Sequence, residues 1–352
     1  MQILNETLGN LKPCRQITEE LVDPKSYLGI LVVDGKFVPC KEEIKKTKED
    51  FVPRSKKRRK INNGMVWIPF TDYHTHDIPE FVAGKSENIT DFRRGFRSLK
   101  LLGYPLKSVT SDKNQRLVGA LFTEYKDVLL QYCIKHYLSE IQRKLSILGF
   151  RRTIKSIEKK IEDLNYDGCA LQRRGSRKKT IRLVNQCLRL CYQYENLNDF
   201  YETMIEMLYA KSIKQRDSKR RYLEKTFFKK HFPLEKSKTY RKRILKVYNQ
   251  FREDEKYLFT SLENQDLDIP RTTNLNEGYN NQLENRIFSI RGFETIKTCE
   301  DYGNALILKR RFKKFTDCKK KFKHLNGKSP LEIAGDSTCK IKDWIRFSSK
   351  KG

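Results

Sequence analysis

The chain of 352 residues lacks any apolar run that approaches the ~20 residues of a membrane-spanning helix. Residues 1–26 are polar and slightly acidic, and they contain no apolar segment of the kind that a secretory signal carries. These absences exclude a membrane span within the sequence. We therefore expect a cytoplasmic protein with no membrane partner.

Closely spaced cysteine pairs are also lacking, although the chain has nine cysteines. An odd number of scattered cysteines predicts free thiols in a reducing, intracellular environment. Cys187 and Cys191 lie about one helical turn apart. That spacing favours packing on a helix face over a metal site.

Acidic residues are few relative to basic ones. Asp and Glu total 44 against 74 Lys and Arg, which gives a formal net charge of +30. So large an excess attracts polyanions and releases counterions when they bind, so we expect a nucleic-acid partner. Charge alone does not distinguish DNA from RNA.

Short apolar runs rich in β-branched residues predict strands in the first third of the chain. We expect strands at residues 29–33, 65–73, 79–83, 106–111 and 128–133, and helices at residues 89–102 and 115–125. The resulting order, β-β-β-α-β-α-β, predicts an α/β fold with a mixed sheet and flanking helices.

Beyond residue 136 the pattern changes to apolar residues at helical spacing among many charges. We expect a large, all-helical insertion that interrupts the α/β core. The predicted domains are an N-terminal remnant (1–26), the first part of the core (27–136), the insertion (137–268), the second part of the core (269–335) and a basic tail (336–352), frayed from Lys340 onward.

Three carboxylates stand at the ends of predicted elements. Asp34 and Asp112 follow strands, and Glu277 lies in the first turn of a helix. Each has an ordinary structural explanation, because Asp-Gly forms turns and acidic side chains favour helix N-termini. Open α/β sheets, however, bind ligands at the carboxyl ends of their strands. Carboxylates that converge there suit a pair of divalent ions and phosphoryl transfer.

Several short motifs in a fixed order carry a family resemblance. They are Leu31–Gly35, Val109–Asp112, Cys133–His136, Thr273–Gly278, Arg291–Phe293 and Asn326–Glu332. In these motifs the chain resembles the Mutator-like DDE transposases, whose catalytic core has an RNase H-like fold. The resemblance covers about residues 29–330, with the middle unmatched.

The resemblance implies a metal-dependent polynucleotidyl transferase that cleaves DNA and transfers the cut strand. Asp34, Asp112 and Glu277 would be the catalytic residues and would hold two Mg²⁺ or Mn²⁺ ions. Arg291 would contact DNA, as would Lys113, which replaces the glycine that usually follows the second aspartate. The expected partners are double-stranded DNA, both element ends and target, and further copies of the chain assembled on that DNA.

Cys133 and His136 resemble the family's CxxH pair. Two ligands cannot close a tetrahedral zinc site, so we expect a local structural role or a transition-state contact. His74 and His76 also form a close pair, which we expect to hydrogen-bond around the turn at residues 71–79. The basic cluster Lys309–Lys314 could follow a DNA backbone.

Residues 1–26 depart from the family pattern, because members usually carry a zinc ribbon or helix-turn-helix before the first catalytic strand. Two alternatives therefore stay open. One is a catalytically inactive or truncated, transposase-derived DNA-binding protein. The other is a structure-specific RNase H-like nuclease, against which the motifs between Thr273 and Phe293 argue.

Overall fold

The structure is a computed structural model that describes residues 8–40, 64–166, 174–230, 238–287, 292–335 and 344–350. The chain divides into two compact units. The first contains Met1–Cys133 and Asp266–Gly352, and the second contains Ile134–Gln265. The first unit has mixed α/β structure, and the described part of the second consists of helices and their connections.

A mixed sheet of six strands organises the first unit. Its strands are β1 (Ile30–Val33), β2 (Lys36–Val38), β3 (Met65–Asp72), β4 (Glu80–Gly84), β5 (Ser108–Ser111) and β6 (Leu129–Tyr132). β1 pairs antiparallel with β3 and parallel with β5, which pairs parallel with β6. β2 and β4 each pair antiparallel with β3. The predicted mixed sheet is confirmed, and β2 is a strand that the sequence pattern did not reveal.

Helices flank this sheet and build the second unit. The described helices are α1 (Cys14–Leu21), α2 (Ile89–Leu102), α3 (Gln115–Glu124), α4 (Ile134–Leu145), α5 (Ile147–Tyr166), α6 (Arg174–Leu208), α7 (Ile213–Arg221), α8 (Phe228–Lys230), α9 (Lys238–Leu258), α10 (Thr260–Glu263), α11 (Asn274–Ile287), α12 (Ile296–Phe312), α13 (Pro330–Ala334) and α14 (Trp344–Ser348). A π-helical segment, Tyr222–Phe227, joins α7 to α8.

Local sequence signals define α2 at both ends. The side chain of Asn88 accepts a hydrogen bond from the backbone N of Asp91 at 2.8 Å and so caps the first turn. Gly103 ends the helix with φ of 82°, a left-handed conformation that glycine adopts without strain. Phe92 and Phe96 are buried on one face of the helix, as their spacing predicts.

A buried ion pair joins α1, α12 and the turn between β3 and β4. Arg311 donates from Nε to Oδ1 of Asp77 at 2.7 Å, and both side chains are 0% exposed. Arg311 also donates to the carbonyl oxygen of Cys14 at 2.7 Å, and the Tyr27 hydroxyl donates to Asp77 at 2.6 Å. The expectation that Lys309–Lys314 follows a DNA backbone is therefore wrong for Arg311, because its guanidinium is enclosed in the core.

Described residues near the carboxyl terminus pair with residues near the amino terminus. Leu11 and Ser349 form an antiparallel β-bridge. The backbone N of Lys12 donates to the carbonyl oxygen of Ser348 at 2.6 Å. The prediction that the tail frays from Lys340 is wrong for these residues, because main-chain hydrogen bonds hold them to the first unit.

The turn after β3 is tied by an aspartate rather than by the histidine rings. Oδ1 of Asp72 accepts hydrogen bonds from the backbone N of His74 at 3.1 Å and of Thr75 at 2.9 Å. The Nε2 atoms of His74 and His76 are buried and have no hydrogen-bond partner among the described residues. The prediction that the two histidine side chains hydrogen-bond around this turn is therefore wrong for their Nε2 atoms.

The helices of the second unit pack around aromatic side chains. The ring centroids of Phe200 and Phe227 lie 5.5 Å apart, and both side chains are buried. The Tyr137 hydroxyl donates to Oδ2 of the buried Asp254 at 3.1 Å. Among the described helices of both units, none combines the length and the apolar character that crossing a membrane requires.

Candidate active site

Asp34 and Asp112 follow two neighbouring parallel strands. In the pairing of β1 with β5, Val33 lies opposite Ser111, so the next residue along each strand is an aspartate. Parallel strands direct their carboxyl ends to the same edge of a sheet. The pairing therefore brings the first two predicted site residues to one edge, where both are half-buried.

The segment that leads to Glu277 is anchored on the same two strands. The hydroxyl of Thr110 in β5 donates to the carbonyl oxygen of Pro270 at 2.8 Å. Nδ2 of Asn276 donates to the carbonyl oxygen of Val32 in β1 at 3.1 Å. Glu277 follows Asn276 in the first turn of α11. The backbone at Glu277 therefore lies close to the carboxyl end of β1.

Cys133 supports the start of α11 from the end of β6. The backbone N and the hydroxyl of Thr273 donate to Sγ of Cys133 at 3.4 Å and 3.5 Å. The same Sγ lies within 4.8 Å of a carboxylate oxygen of Glu277. Cys133 thus contacts both the residue before α11 and the side chain of Glu277. His136 is the third residue of α4 and belongs to the second unit.

A fourth carboxylate, that of Glu87, lies at the same edge. A Cβ added at Gly35 would lie 2.1 Å from Oε1 of Glu87, so this carboxylate packs against the residue that follows Asp34. Nδ2 of Asn114 donates to Oε2 of Glu87 at 2.9 Å. Burial and the negative charge of Asp112 raise the pKa of Glu87 to about 7, against the hydrogen bond from Asn114.

Glu87 was not predicted as a site residue, because no motif in the sequence marks it. It precedes Asn88, the capping residue of α2, where an acidic side chain is an ordinary neighbour of a helix N-terminus. Its position against Gly35 and Asn114 depends on the packing of α2 beside the sheet. The one local signal is Gly35 itself, since a glycine after a strand-ending aspartate can mark the close approach of another group.

The structure describes one of the two residues that we predict to contact DNA. Lys113 directly follows Asp112 and is half-buried at the same edge of the sheet. Arg291 lies outside the described residues. Two basic residues therefore lie near the proposed site. One is Lys113, and the other is Arg116, whose Nη1 donates to the carbonyl oxygen of Glu87 at 2.8 Å.

The donor atoms at this edge suit a hard divalent cation. Asp34, Asp112 and the neighbouring Glu87 offer carboxylate oxygens, which Mg²⁺ and Mn²⁺ prefer, whereas the carboxylate of Glu277 lies within 4.8 Å of Sγ of Cys133. The effect of Asp112 on the pKa of Glu87 shows that negative charge is concentrated here, and a bound cation would offset that repulsion. Cys133 offers a softer sulfur, which is already engaged by Thr273.

In comparisons with known proteins, no family model and no curated protein matches the chain.

Proposed function

We propose that the chain is a DDE transposase of the Mutator-like type, which cleaves DNA and transfers the cut strand by metal-dependent phosphoryl transfer. The observation that carries the proposal is the parallel pairing of Val33 with Ser111, after which each strand continues into an aspartate. The anchoring of Asn276 to Val32 supports the same role for Glu277.

The strand arrangement supports an RNase H-like core. Three antiparallel strands, β4, β3 and β1, are followed across the sheet by β5 and β6, both parallel to β1. This is the layout implied by the resemblance, with β2 as a short addition paired to β3. The second unit, Ile134–Gln265, separates β6 from α11 along the chain and supports the proposal of a helical insertion at residues 137–268.

In the proposed reaction, the oxygen of water or of a DNA 3′-hydroxyl attacks a backbone phosphorus and loses its proton. The new P–O bond forms as the bond to the leaving 3′-oxygen breaks, and that oxygen takes up a proton. Asp34, Asp112 and Glu277 would hold two Mg²⁺ or Mn²⁺ ions, which when bound stabilise the charge on the attacking and leaving oxygens. Glu87 would orient the loops that carry the two aspartates.

The proposed substrate is double-stranded DNA, bound largely through its phosphates. A net charge of +30 favours this partner, and Lys113 would contact a phosphate close to the carboxylates. Copies of the chain would assemble on the element ends. Phosphate contacts set the position of a protein on DNA but do not identify a sequence.

The test combines cation binding with strand cleavage for matched variants. Asp34→Asn, Asp112→Asn and Glu277→Gln should each weaken Mn²⁺ binding in calorimetry and abolish Mn²⁺-dependent cleavage of duplexes taken from the DNA that flanks the coding sequence. Asp127→Asn is the control, because Asp127 is exposed and precedes β6, at the amino ends of the parallel strands.

The outcomes separate the proposal from its alternative. Cleavage retained in Asp112→Asn would refute the role of that carboxylate. A wild-type chain that binds DNA but neither binds Mn²⁺ nor cleaves would instead identify an inactive, transposase-derived DNA-binding protein. Unchanged DNA affinity in the three variants would show that they remain folded.

A further inference from the structure

A cleft of about 460 Å³ opens on the first unit, away from the carboxylates. The turn after β3, the 3₁₀ helix Lys320–Leu325 and α13 contribute its lining. β3 runs antiparallel to β1, with Asp72 opposite Leu31. The turn after Asp72 therefore lies at the amino end of β1, whereas Asp34 follows its carboxyl end.

Backbone strain is concentrated around this cleft. Among the described non-glycine residues, those with positive φ are His76 (57°), Asp268 (47°), Lys320 (52°) and Ser146. Asp268 lines the cleft. His76 directly follows the lining residue Thr75, and Lys320 directly precedes the lining residue Lys321. Non-glycine residues in this conformation are uncommon, and they cluster at binding and catalytic sites.

Two imidazoles stand at the cleft, the half-buried ring of His74 and the buried ring of His76. His74 lines it, and His76 packs against the lining residue Phe322, with ring centroids 4.4 Å apart. The Nε2 atoms of both rings are buried without a hydrogen-bond partner among the described residues. Burial lowers the pKa of both rings, so both are neutral at pH 7.

The remaining lining combines apolar and charged residues. Phe322, Leu325 and Ile333 supply the apolar wall. Asp268 is the acidic lining residue, and it already binds the ammonium of Lys321 at 2.9 Å and 3.0 Å. Lys328 adds a further positive charge at the cleft, where it is exposed. The cleft thus suits an anion that carries a flat, largely apolar body.

We propose that this cleft binds one nucleotide unit, with its base against Phe322 and its phosphate at Lys328. Aromatic side chains stack on any base, and lysines contact the adjoining phosphate, as in other single-strand binding sites. His74 lines the same cleft, so its ring lies close to the bound nucleotide. The source of the nucleotide is an unpaired DNA end or a free nucleotide, which share this chemistry.

The test follows the histidine ring signals of the full chain in ¹H–¹³C NMR spectra, without divalent metal. The chain has five histidines, so the signals can be assigned by substitution. Thymidine monophosphate and a single-stranded oligothymidylate should each shift the His74 signal saturably, whereas inorganic phosphate should need a higher concentration.

Matched charge variants decide the outcome. Lys328→Gln should raise the nucleotide concentration at half-saturation at least fivefold, while Lys126→Gln, an exposed lysine that does not line the cleft, should leave it unchanged. A tighter response to the oligonucleotide than to the monophosphate identifies a DNA end as the source, and the reverse order identifies a free nucleotide. No saturable shift at His74, or equal effects of the two substitutions, would overturn the proposal. Cleavage activity does not enter this measurement, so its result is independent of the metal site.

Discussion

Asn114 donates a hydrogen bond from Nδ2 to Oε2 of Glu87 at 2.9 Å. This bond links the residues that follow Asp112 to the loop ahead of α2, and the same carboxylate packs on Gly35 beyond Asp34. One side chain therefore ties together the two loops that carry the proposed catalytic aspartates. A mutation at Glu87 should therefore act on the proposed cation site through both loops.

Glu87→Gln should lower the affinity for Mn²⁺ by about tenfold, because groups that orient metal ligands typically contribute an effect of that size. The substitution keeps the shape of the side chain and an oxygen that can accept from Asn114, but it removes the negative charge. Calorimetric titration with Mn²⁺ at pH 8 measures the change, with Asp127→Asn as the control. An affinity equal to that of the wild type would exclude Glu87 from the site.

Gly35→Ala should destabilise the fold by about 1–3 kcal/mol, the usual effect of inserting a methyl group into a filled space. The added Cβ would lie 2.1 Å from Oε1 of Glu87. In a Glu87→Ala background the same substitution should have a smaller effect, which urea unfolding of the double-mutant cycle measures. Gly278→Ala is the control, since no atom lies within 4 Å of an added Cβ there. Equal effects of Gly35→Ala in both backgrounds would contradict the packing described.

The secondary structure near the site was largely predictable, because it follows from local patterns. The bounds predicted for α2 coincide with Ile89–Leu102, since Asn88 and Gly103 mark both ends. β2 was missed because Lys36–Val38 is only three residues long and becomes a strand through its pairing with β3. Short segments of this kind are decided by tertiary contacts rather than by their own sequence.

Side-chain environments were less predictable than strands and helices. Arg311 stands in a run of basic residues that resembles a solvated helix face, yet it is fully buried against Asp77, a residue distant in sequence. The environment of Glu87 likewise depends on Gly35 and Asn114, which are distant from it in sequence. Asp34 and Asp112 could be proposed as neighbours because the carboxyl ends of parallel strands meet at one edge, a rule that needs no side-chain detail.

Arg311→Met should destabilise the first unit by about 3–5 kcal/mol, because it leaves the charge of Asp77 buried without its partner. The ion pair is 0% exposed and also engages α1 through the carbonyl oxygen of Cys14. Chemical unfolding followed by circular dichroism measures the loss. Lys313→Met, an exposed change in the same basic run, should stay within about 0.5 kcal/mol of the wild type. A loss below 1 kcal/mol for Arg311→Met would contradict the structural role of the pair.

Binding to duplex DNA should weaken steeply with salt, because each neutralised phosphate releases counterion. Competition titrations of terminal-repeat against scrambled DNA at several salt concentrations give the slope and the sequence preference together. We expect little preference for element ends, since phosphate contacts carry no sequence information. Lys113→Gln should reduce the slope of log K against log salt by about 1. A DNA affinity that does not change with salt concentration would contradict the prediction of a nucleic-acid partner.

Protonation of His76 should destabilise the fold in mild acid. Burial, together with the positive charge of Arg310, lowers the pKa of His76 to about 3 from an ordinary 6.5. Below pH 6.5 the unfolded chain therefore binds a proton that the folded chain excludes, and stability is lost as the pH falls from 6.5 toward 3. Between pH 6.5 and pH 5 the loss from this one group is about 2 kcal/mol.

His76→Asn should remove that loss, because asparagine does not titrate and tolerates the positive φ of 57° at this position. Urea unfolding of both proteins at pH 6.5 and pH 5 measures the difference. The variant should lose about 2 kcal/mol less than the wild type over this interval. If the wild type and His76→Asn lost stability equally between pH 6.5 and pH 5, the imidazole of His76 would have to accept a proton in the folded state. The burial of this ring against Phe315 and Phe322 opposes such protonation.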